Sequence, residues 1–443
     1  MLYEQFINNI NNLIGDSINV SNDFSTPTIA LAVSGGSDSI ALLMLAHKWA
    51  KSSNINLIVI SIDHHLRSNS KLENEYVRNL SHKLGYSHYQ LHFDSKNNFS
   101  NLQARAREAR YKLMTELCIK LDILTLFTAH HLDDYIENYC IRSEKKSSVF
   151  GLSSHYIIWY NNIRIVRPLF NIPKQQLTKY LITNNIKWFE DETNLSNKYL
   201  RNVIRKRLNI EGENKKTQII KEQLAVNQQV EEQLHPEFIA CIAEAVQIYG
   251  LGFALIDLLK FTEFFTVVKK QVISFTLNTI SGKNYQGRTD AITRINELLQ
   301  QPTNFTKTLH GCIIRKINDH LIVYREFGRH RPTSIPLINN CIWDNRFLFN
   351  LNYNIVKLEN KKYFIDNLTV KNYSEIRNNL DLTSLKNRSF KNHMAILFTL
   401  PIIKILEKVI AIPHLSYYND ESLEEEMAVC FYPSFVSRFT HFY

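Results

Sequence analysis

Hydrophobic and polar positions in the first 200 residues repeat one alternation, a short apolar run followed by a longer stretch with apolar residues at helical spacing. TIALAVS (28–34) reads as a buried strand, and SIALLMLAHKWAK (39–51) has the length of a helix. NINLIVISID (54–63) is the next buried strand. NSKLENEYVRNLSHKLG (69–85) is an amphipathic helix closed by Gly85, and YSHYQLHFD (86–94) is a strand. NLQARAREARYKLMTELCIKL (101–121) and DILTLFTAH (122–130) repeat the helix and the strand. This order predicts an α/β fold, a doubly wound parallel sheet of Rossmann-like form. Ligands of such sheets sit at the carboxyl ends of the strands. The polar clusters fall there: SGGSDS after the first strand, DHHLR after the second, HHLDD after the fourth.

After about residue 195 the pattern changes. KYLRNVIRKRL (198–208) predicts a basic helix, and KTQIIKEQLAVNQQVEEQLHPEFIACIAEAVQIYG (216–250) reads as wholly helical, with helices continuing to about residue 300. HGCIIRKINDHLIVYRE (310–326) predicts a hairpin turning at Asn318-Asp319. From about residue 340 the pattern is β-rich, as in RFLFNLNYNIVKLENKKYFI. These shifts divide the chain into 1–210 (the α/β domain), 211–330 (mainly helical) and 331–443 (small, α+β).

Gly35 and Gly36 stand side by side in a chain with only 12 glycines in 443 residues, whereas average usage is about 7%. Between a strand and a helix, glycines allow a tight turn and the close approach of an anion. The helix that follows points free N–H groups and the positive end of its dipole at the same spot. Ser34, Ser37 and Ser39 add hydroxyls. Together these make a pyrophosphate cradle. Asp38 would repel phosphate alone; it makes sense if it holds Mg²⁺ against the phosphates. The loop matches neither G-x-x-x-x-G-K-[ST] nor G-x-G-x-x-G.

The net charge of +10 is a basic tilt on a surface rich in both signs. It raises the odds of a polyanionic partner without naming one. The six cysteines, Cys118, Cys140, Cys241, Cys312, Cys341 and Cys430, form no C-x-x-C pair. That speaks against a zinc ribbon, an iron–sulfur site or a disulfide framework, and fits a reducing cytosol. MLYEQFINNINNLIGDS lacks the features of a signal peptide, and no charge-free apolar run has transmembrane length. The expectation is a cytoplasmic protein with no membrane partner.

SGGSDS resembles the PP-loop of the ATP pyrophosphatases, which cleave ATP to AMP and pyrophosphate to adenylate a substrate. QARAREARY (103–111), TAHHLDDYIEN (128–138), RPL (167–169), DETN (191–194) and RNVIR (201–205) narrow this. In order and spacing they are similar to the tRNA(Ile)-lysidine synthases. The likeness is dense over about 28–210 and thin beyond, apart from LHGCIIRKINDHLIVYRE (309–326).

By themselves, Asp133 and Asp134 are an acidic helix N-terminus favoured by the dipole, and His130 and Asp134, at i and i+4, share one face. The resemblance implies that His130 and Asp134 are catalytic, with Asp38 and Asp134 holding Mg²⁺. In QARAREARY, Arg107, Arg110 and Tyr111 form one helical stripe. Its residues alone allow a solvated face, and the resemblance favours Arg110, aimed at the ATP phosphates or the base. KYLRNVIRKRL alone is equally a solvated helix or a phosphate-backbone contact. The resemblance favours tRNA contacts through Arg201, Asn202, Arg205 and Arg207. Three places depart from the family pattern: His65 stands where a glycine is usual, Tyr135 replaces a glutamine, and RSEKKSSVFGL (142–152) keeps only Gly151 of a glycine-richer loop.

The resemblance implies a ligase that uses ATP and Mg²⁺ to join L-lysine to the wobble cytidine of an isoleucine tRNA with a CAU anticodon, in the cytoplasm. The segments after 210 would hold the rest of the tRNA, the last of them its acceptor region. Whether the chain acts alone or as a homodimer stays open. The rivals are a PP-loop enzyme that puts sulfur on cytidine, disfavoured by the missing C-x-x-C, a small-molecule PP-loop synthetase, and a nucleotide-binding module without catalysis. Retention of Asp38 and Asp134 speaks against the last.

Overall fold

A computed structural model of the chain describes residues 1–15, 26–63, 70–92, 102–190, 200–283, 287–328, 331–351, 363–380, 393–420 and 422–433. Contacts divide them into two compact units, Met1–Asn227 and Gln228–Phe439.

The first unit opens with α1 (Leu2–Ile14), β1 (Thr28–Ala32), α2 (Ser37–Ser53), β2 (Asn56–Asp63), α3 (Ser70–Lys83) and β3 (Ser87–His92). It continues with α4 (Leu102–Lys120), β4 (Thr125–Phe127), α5 (Leu132–Glu144), α6 (Val149–Leu152), β5 (Ile157–Tyr160), β6 (Ile163–Val166), α7 (Lys174–Thr183) and α8 (Leu200–Gln229). The expected alternation is therefore present. The strands form one sheet in the order β3-β2-β1-β4-β6-β5. All neighbours are parallel except β5 and β6, an antiparallel edge hairpin. Its turn residues, Asn161 and Asn162, both have positive φ (49° and 62°), as a two-residue turn of this hand requires.

Helices cover both faces. On one, Leu31 and Val59 pack with Ile40, Leu43, Leu177 and Leu181 of α2 and α7, and with Phe6, Ile10 and Ile14 of α1. On the other, Ala30, Ile58 and Ile165 pack with Tyr111, Met114 and Cys118 of α4. A strand buried on both sides must be apolar throughout, which is why TIALA and LIVIS show no alternation. The strand order departs from the chain order between β1 and β4. Successive strands are wound outward from this line, so the loops leaving β1 and β4 part to opposite faces and open a crevice.

The second unit begins with α9 (His235–Ala245) and contains α10 (Leu258–Phe261), α11 (Thr266–Ser281) and α12 (Thr289–Leu299). It is not helical as far as 300. Val246–Tyr249 and Phe253–Asp257 are strands β7 and β8. With β9 (Phe305–Leu309), β10 (Cys312–Ile317) and β11 (His320–Arg325) they form a sheet in the order β7-β8-β11-β10-β9. Helical spacing persists through AEAVQIYG, but the β-branched residues of VQIYGLGFALID pair as a hairpin once Gly252, at φ 76°, closes the turn. The expected hairpin over 310–326 is β10 and β11, with Asn318 at φ 49° in its turn. Beyond it lie a second five-stranded sheet, including Phe364–Asn367, Pro401–Ile405 and Lys408–Ile412, and a three-stranded one of Cys341–Trp343, Phe347–Leu351 and Met427–Phe431. The described residues beyond 340 are thus β-rich, as their pattern predicts. Among the described residues, no helix is long and apolar enough to cross a membrane.

Candidate active site

The loop from Ser34 to Gly36 leaves the carboxyl end of β1 and enters α2. Gly35 carries φ +90°, a conformation that strains any residue with a Cβ. Its carbonyl accepts from Phe189 N at 3.0 Å, which pins the loop from outside. Inside the turn, Ser34 N donates to Ser39 Oγ at 3.1 Å, and Ser39 Oγ donates to the Gly36 carbonyl at 3.0 Å. The Ser34 and Ser39 hydroxyls lie 3.2 Å apart. Ser34, Gly36 and Ser39 are thus one hydrogen-bonded unit at the N-terminus of a 17-residue helix, and beside them the Ser37 hydroxyl donates to Asp38 Oδ1 at 3.1 Å.

The turn leaving β4 brings the second half. His131 precedes α5, and its backbone N–H donates to Asp134 Oδ2 at 3.2 Å, so Asp134 ties down the start of its own helix. The His131 ring is buried (2% exposed), and Nε2 lies 3.4 Å from Asp38 Oδ2 and 3.6 Å from Asp134 Oδ2. Its Nδ1 is 3.6 Å from Asp133 Oδ2. Burial alone would lower the pKa of this imidazole. The hydrogen bond the ring donates to Asp38 and the charges of Asp134, Asp38 and Asp133 outweigh it and hold the ring above its ordinary value. Burial likewise pushes Asp38 up, but His131, Lys174 and the Ser37 hydroxyl together hold it below the usual carboxylate value.

Asp38 and Asp134 therefore converge on one point, although 96 positions apart in the sequence. Among the described residues no group of three or more His, Cys, Asp or Glu is arranged to hold a metal by itself. Two carboxylates beside a phosphate cradle are nonetheless the donor set that Mg²⁺ takes, since it is usually bound by one or two carboxylates plus substrate phosphates. The residues present fit that ion together with a nucleotide.

Beside Asp134 opens a cavity of about 290 Å³ lined by His130, Asp134, Tyr135, Asn138, Arg142 and Arg167. His130 stands just before α5, with Nδ1 3.0 Å from Thr128 Oγ1. Tyr135, at a position where the sequence departs from the pattern, is buried. Its ring meets Tyr156 edge-on, and Tyr156 stacks on Phe170. Arg167 donates to the His155 carbonyl at 2.9 Å, and Arg142 to the Gly151 carbonyl at 2.8 Å.

A family model described as a PP-loop domain matches residues 2–211. Along its whole length the chain is 54% identical to the tRNA(Ile)-lysidine synthase of Rickettsia typhi (strain ATCC VR-144 / Wilmington), covering 100% of both. It is 54% identical to that of Rickettsia felis (strain ATCC VR-1525 / URRWXCal2) and 53% to that of Rickettsia akari (strain Hartford), again over 100% of each. The chain belongs to the tRNA(Ile)-lysidine synthase family.

The remaining residues expected of a tRNA(Ile)-lysidine synthase are scattered more widely. Arg110 is exposed on α4, whereas its neighbour Tyr111 is buried against Tyr160, so the expected stripe has two environments. Arg205 reaches from α8 to the buried Glu137 of α5, Nε to Oε1 at 2.7 Å. Arg201 donates to Asn138 Oδ1 at 2.6 Å, and Arg207 pairs with Glu144 at 2.6 Å. Asn202 is buried. The basic helix is thereby joined to α5, and Gly212, at φ 79°, breaks it further on. His65, DETN and the side chain of Arg107 lie outside the described residues.

Sequence reasoning passed over His131 and Lys174, the two basic side chains beside Asp38. His131 was hidden by its neighbour, since HH offers no way to tell which ring turns inward. Lys174 follows RPL in RPLFNIPK, and a lysine after a proline at a helix start carries no signal of its partner.

Proposed function

We infer that this chain joins free L-lysine to the wobble cytidine of an isoleucine tRNA with a CAU anticodon, giving lysidine, AMP and pyrophosphate. The observation that carries the reading is the meeting of Asp38 and Asp134 beside the SGGSDS cradle, in a chain with full-length likeness to tRNA(Ile)-lysidine synthases.

The chemistry accounts for the residues. The 2-oxo oxygen of cytosine is a poor leaving group. Its attack on the α-phosphorus of ATP breaks the bond to the β-phosphate, and the electron pair leaves with pyrophosphate. Ser34, Gly35, Gly36, Ser37, Asp38 and Ser39 form the cradle for that anion. Asp38 and Asp134 would hold Mg²⁺, which when bound supplies positive charge against the triphosphate. The ε-amine of lysine then forms its bond to the ring carbon, and the oxygen leaves with AMP. That amine, with an ordinary pKa of about 10.4, has to lose a proton in the site. His130 lines the cavity and is positioned to take it. The cavity offers a carboxylate and two guanidinium groups, a lining suited to a zwitterion.

An anticodon loop is single stranded, so a base swings out of it at little cost. Arg110 supplies an exposed cation on α4 for the phosphates or the base. Arg201, Arg205 and Arg207, partly exposed beside their α5 partners, are the basic face we assign to the tRNA backbone, with Asn202 buried beneath it and the segments 211–330 and 331–443 holding the rest of the tRNA and its acceptor region. The cysteines do not favour the sulfur-transfer alternative. Cys118, Cys241 and Cys312 are buried, and burial pushes their thiols up to about 12.

The test is transfer of labelled lysine to an isoleucine tRNA transcript bearing CAU, with ATP and Mg²⁺, against a methionine tRNA with the same anticodon. Label on the isoleucine tRNA alone is expected. tRNA-dependent AMP without lysine label would retain the adenylation and reject lysine as the nucleophile.

A further inference from the structure

We propose that Lys174 is a pyrophosphate-binding residue, held on Asp38 until ATP enters and then turned onto the β- and γ-phosphates that leave. The proposal rests on the reading above that ATP is split between its α- and β-phosphates.

Three observations carry it. First, the backbone of Lys174 is fastened beside the catalytic turn. Its N–H donates to Asp133 Oδ2 at 2.8 Å, and two residues earlier the Ile172 carbonyl accepts from Leu132 N at 3.1 Å. Asp133 is thereby assigned a task of its own, capping α7 from α5. Second, Lys174 Nζ lies 3.5 Å from Asp38 Oδ2, and the side chain is still 39% exposed. An ammonium at 3.5 Å from one oxygen of a carboxylate is loosely held, and its long stem lets it move. Third, Lys174 is the first residue of the 10-residue α7, whose N-terminus faces the same carboxylates as those of α2 and α5. Three helix N-termini and a lysine meet there with the carboxylates Asp38, Asp133 and Asp134, and positive helix ends suit an arriving polyanion.

The charges say why the ammonium would change partner. Were Asp38 to hold a divalent cation, the Lys174 ammonium would be repelled and would lose its hold on that carboxylate. The nearest new anion is then the phosphate chain over the SGGSDS loop. As the bond between the α- and β-phosphates breaks, its electron pair and one new negative charge go to the pyrophosphate. An ammonium beside that group stabilises the transition state more than the ground state.

The experiment uses the full chain. Binding of inorganic pyrophosphate in the presence of Mg²⁺ is measured by calorimetry for wild type, Lys174→Met and Lys174→Arg. The rate of tRNA-dependent pyrophosphate release is measured beside it. Lys174→Met should weaken pyrophosphate binding about ten- to hundredfold, as expected for one lost charge-assisted contact. It should slow release by roughly 10²–10³-fold, and Lys174→Arg should recover most of both. KM for lysine should not move. Every one of these variants keeps the backbone N–H that Asp133 accepts, and matching thermal midpoints check that the fold is intact. Pyrophosphate binding within twofold of wild type in Lys174→Met would overturn the proposal. So would normal pyrophosphate release with slow lysine transfer, since Lys174 would then act in the second step. Failure of the wild type itself to label tRNA with lysine would sink the reaction assigned above but leave the pyrophosphate measurement standing.

Discussion

Arg205 grips the buried carboxylate of Glu137 in two hydrogen bonds, Nε to Oε1 at 2.7 Å and Nη2 to Oε2 at 3.2 Å. The pair joins α8 to α5, one turn beyond Asp134. Burial pushes the Glu137 pKa up, and Arg205 only partly restores it, so it stays above the ordinary value. Removing the arginine leaves a buried carboxylate whose remaining partner is the Arg201 guanidinium, 4.0 Å away and without a hydrogen bond to it. Arg205→Ala should therefore destabilise the first unit by about 3 kcal/mol, the low end for a broken buried pair, because Arg205 is itself a third exposed. Its loss lifts the Glu137 pKa further. A carboxyl raised on folding favours the folded state only at low pH, so the deficit should shrink as pH falls through the variant's raised value. Urea unfolding at pH 7.5 and 5 checks this, and Arg205→Ala with Glu137→Gln should regain part of the loss.

Asp38 and His131 shift in opposite directions, which sets a pH window. The lowered Asp38 pKa adds stability above the ordinary carboxylate value of 3.8, and that stability is lost as pH falls through the depressed value. The raised His131 pKa adds stability that is complete below 6.5 and lost as pH rises through the higher folded value. The ligand-free protein should be most stable between these limits. In Asp38→Asn the alkaline loss should be smaller and end at lower pH, and the His131 ring should titrate lower by NMR. An unchanged His131 titration would remove Asp38 as its principal partner.

The two glycines of the loop should respond differently. At Gly35 a Cβ would meet Glu73 and Val77 at 3.5 and 3.6 Å, ordinary contact distances, so the strain lies in φ +90°. Gly35→Ala should cost about 1–2 kcal/mol of stability. Gly36 has φ −75°, and a Cβ there would make only ordinary contacts, with the Ser34 hydroxyl at 3.8 Å and the Phe189 carbonyl at 4.0 Å. Gly36→Ala should change stability by no more than about 0.5 kcal/mol, while its methyl group crowds the anion and weakens ATP binding. Thermal melts paired with ATP titrations separate the two effects.

Asp134 has both a structural task and the catalytic one proposed for it. Asp134→Asn keeps an oxygen to accept the His131 N–H, so the helix start survives. Lysine incorporation should fall roughly 10²–10³-fold, with a thermal midpoint near that of wild type. Asp134→Ala should in addition lose about 1 kcal/mol with the cap.

The alternating pattern of residues 28–130 determined β1 to β4 of the first unit and the helices between them, but not α1, the β5–β6 hairpin or α7. Strands buried on both faces have to be continuously apolar, and the helices between them carry their own periodicity, so both kinds of segment are visible one at a time. SGGSDS was legible for the same reason: a strand, a glycine-bearing turn and a helix start lie within ten residues. The hairpin of β7 and β8 was not, because VQIY can continue a helix and only the partner strand Phe253–Asp257 decides otherwise. The inner basic side chains of the site were hidden too. Which of His130 and His131 turns inward, and that Lys174 stands against Asp38, depend on α5 and α7 starting at the same end of the sheet as α2. Strand order sets that arrangement, and strand order comes from long-range pairing that no local stretch of sequence contains.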